Sequence, residues 1–159
     1  LGDAGEPNYV DVGRFMTDAE RPVLVNKPFS DQALEILGQD HIVAAHREII
    51  GSDEVFIRRM QVNIMKAGGF VGYHLDTDSN PDYEYAIILQ MGEDFSGGEY
   101  VTYPEGEPEC VFSPKSRSLI ISNCAIPHEV KEVKNGHRKS LVYFLARNGG
   151  DNRRANVAG

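Results

Sequence analysis

Apolar residues recur at every second position from residue 55 onward, and this pattern restricts the fold more than any other feature of the chain. In residues 55–65, Met60, Val62 and Ile64 fall on one face of a predicted strand, and polar residues fall on the other. Six further strands are predicted, at residues 84–90, 99–103, 109–112, 118–122, 128–133 and 137–146. Many short strands separated by turns predict a β-sandwich or a barrel-like roll.

Length and element order predict one domain that spans residues 1–159. Its parts are a helical support, a β core and a mobile tail, at residues 1–54, 55–147 and 148–159. Within the support we expect a short strand at residues 23–25 and two helices, with Ser30 and Asp40 as their N-caps. The polar segment up to about Glu20 gives no firm prediction. The predicted fold class is therefore mainly β with flanking helices (α+β).

Net charge and cysteine content limit the partners and the compartment. A formal net charge of −8 argues against a nucleic-acid surface, which needs a basic footprint. A local basic groove stays open as an alternative, from Arg58, Arg59, Lys115 and Arg117. A chain of this size needs no disulfide, so Cys110 and Cys124 are expected to be reduced.

No apolar run reaches the length of a membrane span, and the first residues lack a signal-peptide pattern. We therefore expect a cytoplasmic protein with no membrane contact, and the sequence predicts no particular oligomeric state. The chain begins at Leu1 rather than Met, which is compatible with a preceding residue or segment.

Three residues are candidate ligands of a metal ion. His74 and Asp76 are two apart, and residues at that spacing in a strand point to the same side. His128 stands at the head of a later predicted strand. Two imidazoles and one carboxylate match the facial triad that holds non-heme Fe(II), whereas a closed zinc site favours four ligands. His74, Asp76 and His128 are therefore the predicted metal site.

Arg138 and Ser140 share one face of the last predicted strand, and Lys139 points the opposite way. A planar guanidinium binds a carboxylate in bidentate fashion, and a hydroxyl two residues on can add a third hydrogen bond. Burying Arg138 in a barrel without such a partner would be costly. The pair predicts a clamp for the far carboxylate of a dicarboxylic acid.

Five short motifs give the chain a family resemblance. They are His74-Leu75-Asp76, Gly97-Gly98-Glu99, Tyr103-Pro104-Glu105-Gly106, Pro127-His128-Glu129-Val130 and Gly136-His137-Arg138-Lys139-Ser140. Over roughly residues 55–147, the chain resembles the catalytic domain of prolyl-4-hydroxylase-type 2-oxoglutarate/Fe(II) oxygenases, and locally the hypoxia-sensing branch most of all. The resemblance implies a double-stranded β-helix (jelly roll) with helices flanking the larger sheet.

The resemblance also implies the contents of the site and the reaction. Fe(II) would be held by His74, Asp76 and His128, with 2-oxoglutarate chelating the iron and its C5 carboxylate bound by Arg138. O2 would be consumed, and ascorbate (vitamin C) would serve as reductant. The implied enzyme is a dioxygenase that hydroxylates an unactivated C–H bond and releases succinate and CO2.

The chain departs from this family where the cosubstrate is expected. Members often carry tyrosines on the early strands, and the corresponding residues 63–65 and 86–89 contain none. Asn63 lies eleven residues before His74, where AlkB-like relatives also carry a cosubstrate-binding asparagine. We therefore predict Asn63 and Gln61 as cosubstrate contacts, with Tyr85 as a stand-in if the register differs slightly.

Asp78, together with Asp82 and Glu84, gives the expected substrate mouth an acidic character, and Asp78 is the predicted substrate-binding residue. Such a rim favours a cationic or amino-bearing substrate, either a small amino-acid-like metabolite or a prolyl peptide. Three alternatives stay open: a cupin-type metal dioxygenase or isomerase that does not use 2-oxoglutarate, a non-catalytic binding barrel, and a nucleic-acid dealkylating relative.

Overall fold

The computed structural model describes residues 5–92 and 94–154, in which strands predominate over helices. The strands are β1 (Asn8–Tyr9), β2 (Asp11–Asp18), β3 (Pro22–Leu24), β4 (Phe56–Lys66), β5 (Phe70–His74), β6 (Tyr85–Gln90), β7 (Phe95–Gly97), β8 (Tyr100–Thr102), β9 (Cys110–Phe112), β10 (Leu119–Asn123), β11 (His128–Val130) and β12 (Val133–Ala146). The helices are α1 (Phe29–Leu37), α2 (Asp40–Ile50) and a short 3₁₀ helix (Asp76–Asp78).

The strands form two antiparallel sheets that enclose one core. The minor sheet has the order β1-β5-β11-β8-β9, and the major sheet has the order β10-β6-β12-β4-β2-β3, with β7 paired to β12. Most neighbours in each sheet are distant in sequence, as expected for a jelly roll, in which the chain passes repeatedly between two sheets. The predicted fold class, mainly β with flanking helices in a double-stranded β-helix, is confirmed.

The major sheet has an apolar layer on each of its faces. The layer between the two sheets includes Met65, Val71, Ile88, Val130, Val142 and Phe144. The layer beneath the helices includes Leu37, Ile50, Met60, Ile87, Tyr143 and Leu145. Because neighbouring strand residues point to opposite faces, Val142 faces the first layer and Tyr143 the second. Because the helices cover the other face of the major sheet, a ligand-binding cavity is expected between the two sheets.

The two helices cover the outer face of the major sheet. α1 begins at Phe29 with Pro28 as its N-cap, so the predicted cap Ser30 lies inside the first turn. α2 begins at Asp40 with Gln39 as its N-cap, one residue before the predicted one. Gly51 ends α2 in the left-handed conformation that glycine adopts without steric cost. Over residues 5–92 and 94–154, no helix is long and apolar enough to span a membrane.

The N-terminal support contains more strand than the sequence predicts. β3 confirms the short strand, but β2 is an eight-residue strand that pairs with β4 and extends the major sheet. β2 has no clean period-two pattern because only Met16 and Asp18 among its residues are buried. Pairing with β4, rather than its own sequence pattern, makes this segment a strand.

The described part of the C-terminal tail makes hydrogen bonds to the rest of the chain, which the sequence pattern did not predict. Asn152 is 2% exposed, and its Nδ2 donates to the backbone carbonyls of Asp18 at 2.8 Å and Ser79 at 3.2 Å. Its backbone N–H also donates to Glu20 O. Polar contacts of this kind leave no hydrophobic period in the sequence, so the pattern did not reveal them. Residues 155–159 of the predicted tail lie outside the described residues.

Candidate active site

The candidate metal ligands meet between the two sheets. His74 ends β5, Asp76 opens the 3₁₀ helix, and His128 begins β11 directly opposite His74. His74 Nε2 lies 3.4 Å from Asp76 Oδ1, and His128 Nε2 lies 3.4 Å from Asp76 Oδ2. One ligand atom from each residue lies within 4.8 Å of the others. The three residues are close enough to bind one ion, although Asp76 has left the strand that we expected it to share with His74.

Backbone carbonyls orient both imidazole rings. His74 Nδ1 lies 2.8 Å from Gly72 O, and His128 Nδ1 lies 2.9 Å from Ile126 O. A carbonyl can only accept, so each Nδ1 carries the proton and each Nε2 keeps its lone pair. Those lone pairs face Asp76, and fixing the second ring nitrogen in this way is typical of metal-binding histidines.

The pKa values of the two histidines shift in opposite directions, so a metal ion would have to displace a proton more often at His74 than at His128. Burial lowers the pKa of His128, and this effect outweighs the attraction of Asp76. Burial also opposes the charge of His74, but there the hydrogen bond to Asp76 and its charge prevail and raise the pKa. Burial, followed by the charge of Asp76, raises the pKa of the Cys124 thiol well above its usual range. Cys124 therefore stays a neutral thiol rather than a thiolate ligand.

The other end of the same cavity is formed by Arg138 and Ser140. Arg138 is 1% exposed and Ser140 is fully buried. Arg138 Nε and Nη2 and Ser140 Oγ have no hydrogen-bond partner among the described residues. Burial lowers the pKa of Arg138 to about 10. A buried cation with unsatisfied donors needs an anion, and the predicted clamp is placed where such an anion could enter.

Gly98 gives the guanidinium stem of Arg138 its room. Its φ of +69° lies in the left-handed region, and a Cβ at this position would lie 2.8 Å from Arg138 Cδ. A side chain here would therefore be strained and would displace Arg138. This close packing gives the Gly97-Gly98 pair of the sequence a structural reason.

Asn63 and Gln61 face the same cavity, as predicted. Across the β4–β12 pair, Asn63 lies opposite Ser140 and Gln61 lies opposite Val142. Gln61 Nε2 donates to Asn63 Oδ1 at 2.9 Å. Both amides are therefore available to a ligand that spans from Arg138 to the metal ligands.

Tyr85 does not face the cavity. It packs in the layer beneath the helices with Ile87, because even-numbered residues such as Ala86 and Ile88 occupy the inner face of β6. The prediction of Tyr85 as a cosubstrate contact is therefore wrong by one position in the strand, which reverses the side-chain direction.

The acidic rim is largely neutralised within the chain. Asp82 forms an ion pair with Arg153 and accepts from Asn148 Nδ2, and Glu84 pairs with Arg147 at 3.3 Å. Asp78 is exposed at the end of the 3₁₀ helix and does not line the cavity.

Tyr100 is a cavity residue that the sequence did not single out. It is 2% exposed, its ring stacks on that of His128 with centroids 5.2 Å apart, and its hydroxyl donates to Ser122 Oγ at 2.8 Å. Val101 beside it is equally buried, so burial does not alternate in β8 and the sequence pattern does not show which side chain faces the cavity. The position of Tyr100 directly after the Gly97-Gly98-Glu99 motif could have pointed to it. Tyr100 thus supplies the cavity with a tyrosine from the minor sheet.

The cavity joins the metal ligands to the arginine pocket and encloses about 450 Å³ including its open mouth. Its lining residues are Gln61, Asn63, Val71, His74, Asp76, Ala86, Ile88, Tyr100, His128, Val130, Arg138, Ser140, Val142 and Phe144. Its polar groups cluster at two ends of an otherwise apolar chamber, an arrangement typical of small-ligand sites.

Residues 60–146 match the family profile of the 2OG-Fe(II) oxygenase superfamily. The match covers more than half of the chain and includes every candidate ligand. The chain belongs to this superfamily. The family membership makes the protein an enzyme, a 2-oxoglutarate/Fe(II)-dependent oxygenase, whose cofactors are Fe(II), 2-oxoglutarate and O2. No curated protein matches the chain significantly.

Solved structures agree with this family. An oxidoreductase of the 2OG-Fe(II) oxygenase family from Burkholderia pseudomallei is 43% identical over 96% of this chain and 78% of its own, with a TM-score of 0.89. A prolyl-4-hydroxylase from Pseudomonas putida is 18% identical over 91% of this chain and 74% of its own, with a TM-score of 0.62. The α-ketoglutarate-dependent epimerase SnoN from nogalamycin biosynthesis is 11% identical over 88% and 65%, with a TM-score of 0.67. At such identities, the last two share the fold.

The residues of this oxygenase fit the cofactors of its family. The donor set of two imidazoles and one carboxylate suits Fe(II), and the neutral thiol of Cys124 makes no competing thiolate site. The unsatisfied donors of Arg138 and Ser140 suit a carboxylate. Both ends of the cavity therefore accept the groups that the family implies.

Proposed function

We propose that this oxygenase hydroxylates an unactivated C–H bond of a small amino-acid-like metabolite or a prolyl peptide, and converts 2-oxoglutarate to succinate and CO2. The observation that carries the proposal is the unsatisfied Arg138–Ser140 pair in the same cavity as the candidate metal ligands. A ligand with a carboxylate at one end and metal-binding oxygens at the other fits both ends. 2-Oxoglutarate has these two groups.

His74, Asp76 and His128 would hold the iron from one side and leave the remaining positions to the cosubstrate and O2. The carbonyls of Gly72 and Ile126 keep the two Nε2 lone pairs available for it. When bound, iron and 2-oxoglutarate activate O2 so that one oxygen atom enters succinate and the other enters the product. In the absence of the ion, the same two nitrogens are held beside Asp76, which prepares the geometry.

The guanidinium of Arg138 and the hydroxyl of Ser140 would bind the far carboxylate of the cosubstrate. Two N–H donors of Arg138 and one O–H donor lack partners, and a carboxylate has enough lone pairs for all three. The chamber between the two ends is walled by apolar side chains, among them Val71, Ile88 and Phe144. These exclude water from the bound cosubstrate and strengthen its contacts to Arg138.

The substrate would bind beside the metal ligands, and Asp78 lies two residues after Asp76, exposed at the end of the 3₁₀ helix. Because Asp82 and Glu84 are bound to arginines, the proposed recognition of an amino-bearing group falls to Asp78. We expect Asp78→Ala to weaken substrate binding more than 2-oxoglutarate binding; equal losses of both would count against this role. Ascorbate as reductant and a cytoplasmic location remain predictions, the latter in keeping with the free cysteines Cys110 and Cys124.

The alternatives are weaker. Family membership favours 2-oxoglutarate use over a cupin-type reaction or a non-catalytic barrel. Nucleic-acid dealkylation lies within the same chemistry, but a net charge of −8 disfavours a nucleic-acid substrate.

The decisive experiment measures succinate formed from 2-oxoglutarate with Fe(II), ascorbate and O2, for the native chain, Arg138→Met and Lys139→Met. Lys139 is the matched control, because it is the exposed neighbour of Arg138 on β12. We expect slow uncoupled turnover in the native chain and in Lys139→Met, and its loss in Arg138→Met. Native protein that binds iron but shows neither turnover nor 2-oxoglutarate affinity would refute the proposal.

A further inference from the structure

Arg59, Gln61 and Asn63 alternate along β4 and form a continuous hydrogen-bonded row. Arg59 Nε donates to Gln61 Oε1 at 3.2 Å, and Gln61 Nε2 donates to Asn63 Oδ1 at 2.9 Å. Gln61 is 1% exposed and Asn63 is buried, whereas Arg59 is half-buried and lies opposite Phe144 on β12. The row therefore starts at a half-buried guanidinium and ends at two amides that line the cavity.

The direction of this row is set by its first member. A guanidinium has only donors, whereas each amide has a donor end and an acceptor end of the same size. Arg59 therefore selects the orientation in which Gln61 presents its oxygen to the guanidinium and its nitrogen to Asn63. Asn63 must then accept with Oδ1, which leaves its Nδ2 hydrogens to the cavity.

The result is a cavity wall made of donors. Asn63 faces Ser140 across the β4–β12 pair, and Arg138 follows on the same face of β12. A ligand that brings only acceptors, such as the dianion of 2-oxoglutarate, matches this wall.

We infer that Arg59 is a positioning residue: through Gln61, it holds Asn63 with its N–H groups toward the carboxylate of the bound cosubstrate. This inference rests on the proposed function, because it needs 2-oxoglutarate in the cavity. Arg59 itself touches neither the cosubstrate nor the metal ligands in this assignment.

The test reverses the direction of the hydrogen bond between residue 61 and Asn63 while keeping a side chain of the same size at position 61. In Gln61→Glu, the new carboxylate still accepts from Arg59 but cannot donate to Asn63, so Asn63 turns its oxygen into the cavity. We expect the Kd of 2-oxoglutarate for the Mn(II)-loaded enzyme, measured by calorimetry, to rise by roughly tenfold or more, the effect of losing a hydrogen bond to a charged group. Arg59→Lys, which keeps a donor-only side chain at the head of the row, should bind within about threefold of the native enzyme.

A neutral variant separates orientation from charge repulsion, because salt screens a buried charge poorly and Gln61 is 1% exposed. Gln61→Met removes the donor to Asn63 without adding a charge, and its Kd for 2-oxoglutarate should also rise. A Gln61→Met enzyme that binds like the native one, or a Gln61→Glu enzyme that does so, would overturn the inference. If the native enzyme itself does not bind 2-oxoglutarate, the proposed function fails instead, so the two failures are distinguishable.

Discussion

Two arginines are buried in this oxygenase, and they are handled in opposite ways. Arg58 on β4 is 0% exposed, forms an ion pair with Asp18 at 2.9 Å, donates to Asn148 O at 2.7 Å and leaves only its Nε without a partner among the described residues. Arg138 on β12 is 1% exposed, has no carboxylate partner among the described residues and leaves Nε and Nη2 unsatisfied. Arg58 therefore has a carboxylate partner within the fold, whereas the guanidinium of Arg138 has none among the described residues.

The surroundings of Asp18 show what a structural charge pair requires. Its carboxylate also accepts from Asn80 Nδ2 at 2.9 Å and from the Tyr83 hydroxyl at 3.0 Å. Such additional donors offset the cost of removing the charges from water. Arg138 has the opposite surroundings, mainly apolar side chains and the cavity. The contrast identifies a ligand site by the partner that is missing, not by the arginine alone.

Removing each guanidinium should therefore have very different effects on stability. Arg58→Met leaves the Asp18 carboxylate buried without its cation, and we expect it to lower the free energy of unfolding by about 3–5 kcal/mol. Arg138→Met removes an uncompensated charge, so the metal-free protein should change by less than about 1 kcal/mol or become more stable. Urea unfolding of both variants measures the difference. If both variants lose a similar free energy of unfolding, the two arginines do not differ in their contribution to the stability of the fold.

Cosubstrate should replace the missing partner of Arg138. With Mn(II) and 2-oxoglutarate at about 100 times its Kd, the native protein should gain about 2.7 kcal/mol, read as a rise in Tm. Arg138→Met should lose this gain while keeping the metal-dependent part of the rise. Lys139→Met provides the control for a change of charge on β12. A full 2-oxoglutarate effect in Arg138→Met would place the cosubstrate elsewhere.

The sequence could predict this site as far as side-chain chemistry and strand alternation reach. His74, Asp76, His128 and Arg138 were singled out by their order, spacing and strand context, and all four line one cavity in the structure. Tyr85 was misplaced because a shift of one residue reverses the face of a strand, and nothing local fixes the register of β6.

Other features depend on contacts between distant parts of the chain. Asp82 and Glu84 suggested an acidic mouth, but Arg153 and Arg147 neutralise them from across the fold. The burial of Asn152 against Asp18 has the same origin. Such pairings have no periodicity, so only the folded structure reveals them.

A methyl group added next to Arg138 should weaken cosubstrate binding, with a smaller effect than removal of the guanidinium. In Gly98→Ala, the new Cβ would lie 2.8 Å from Arg138 Cδ at a backbone angle that L residues rarely adopt. We expect a loss of about 1–2 kcal/mol in stability and a rise in the Kd of 2-oxoglutarate. Gly106→Ala is the matched control, because Gly106 has a similar φ of +75° but open space around it. If both variants bind 2-oxoglutarate equally well, Gly98 does not shape the pocket.

His46 differs from both buried arginines, because burial favours its neutral form. It lies on the buried side of α2 with its Nε2 2.9 Å from the Tyr143 hydroxyl, and burial lowers its pKa. Because the unfolded chain then binds the proton more tightly, stability is complete above the unfolded pKa of about 6.5 and falls as pH drops toward the folded pKa.

His46→Gln keeps a hydrogen-bonding group beside Tyr143 but cannot take up a proton, so it should lessen the loss of stability between about pH 7 and pH 5. The difference should approach at most about 1.4 kcal/mol per pH unit, measured by urea unfolding of the metal-free protein. His41→Gln, at an exposed position on the same helix, provides the control. If the free energy of unfolding of His46→Gln depends on pH as that of the native protein does, protonation of His46 does not destabilise the fold, and its burial would not be the cause of the acid sensitivity.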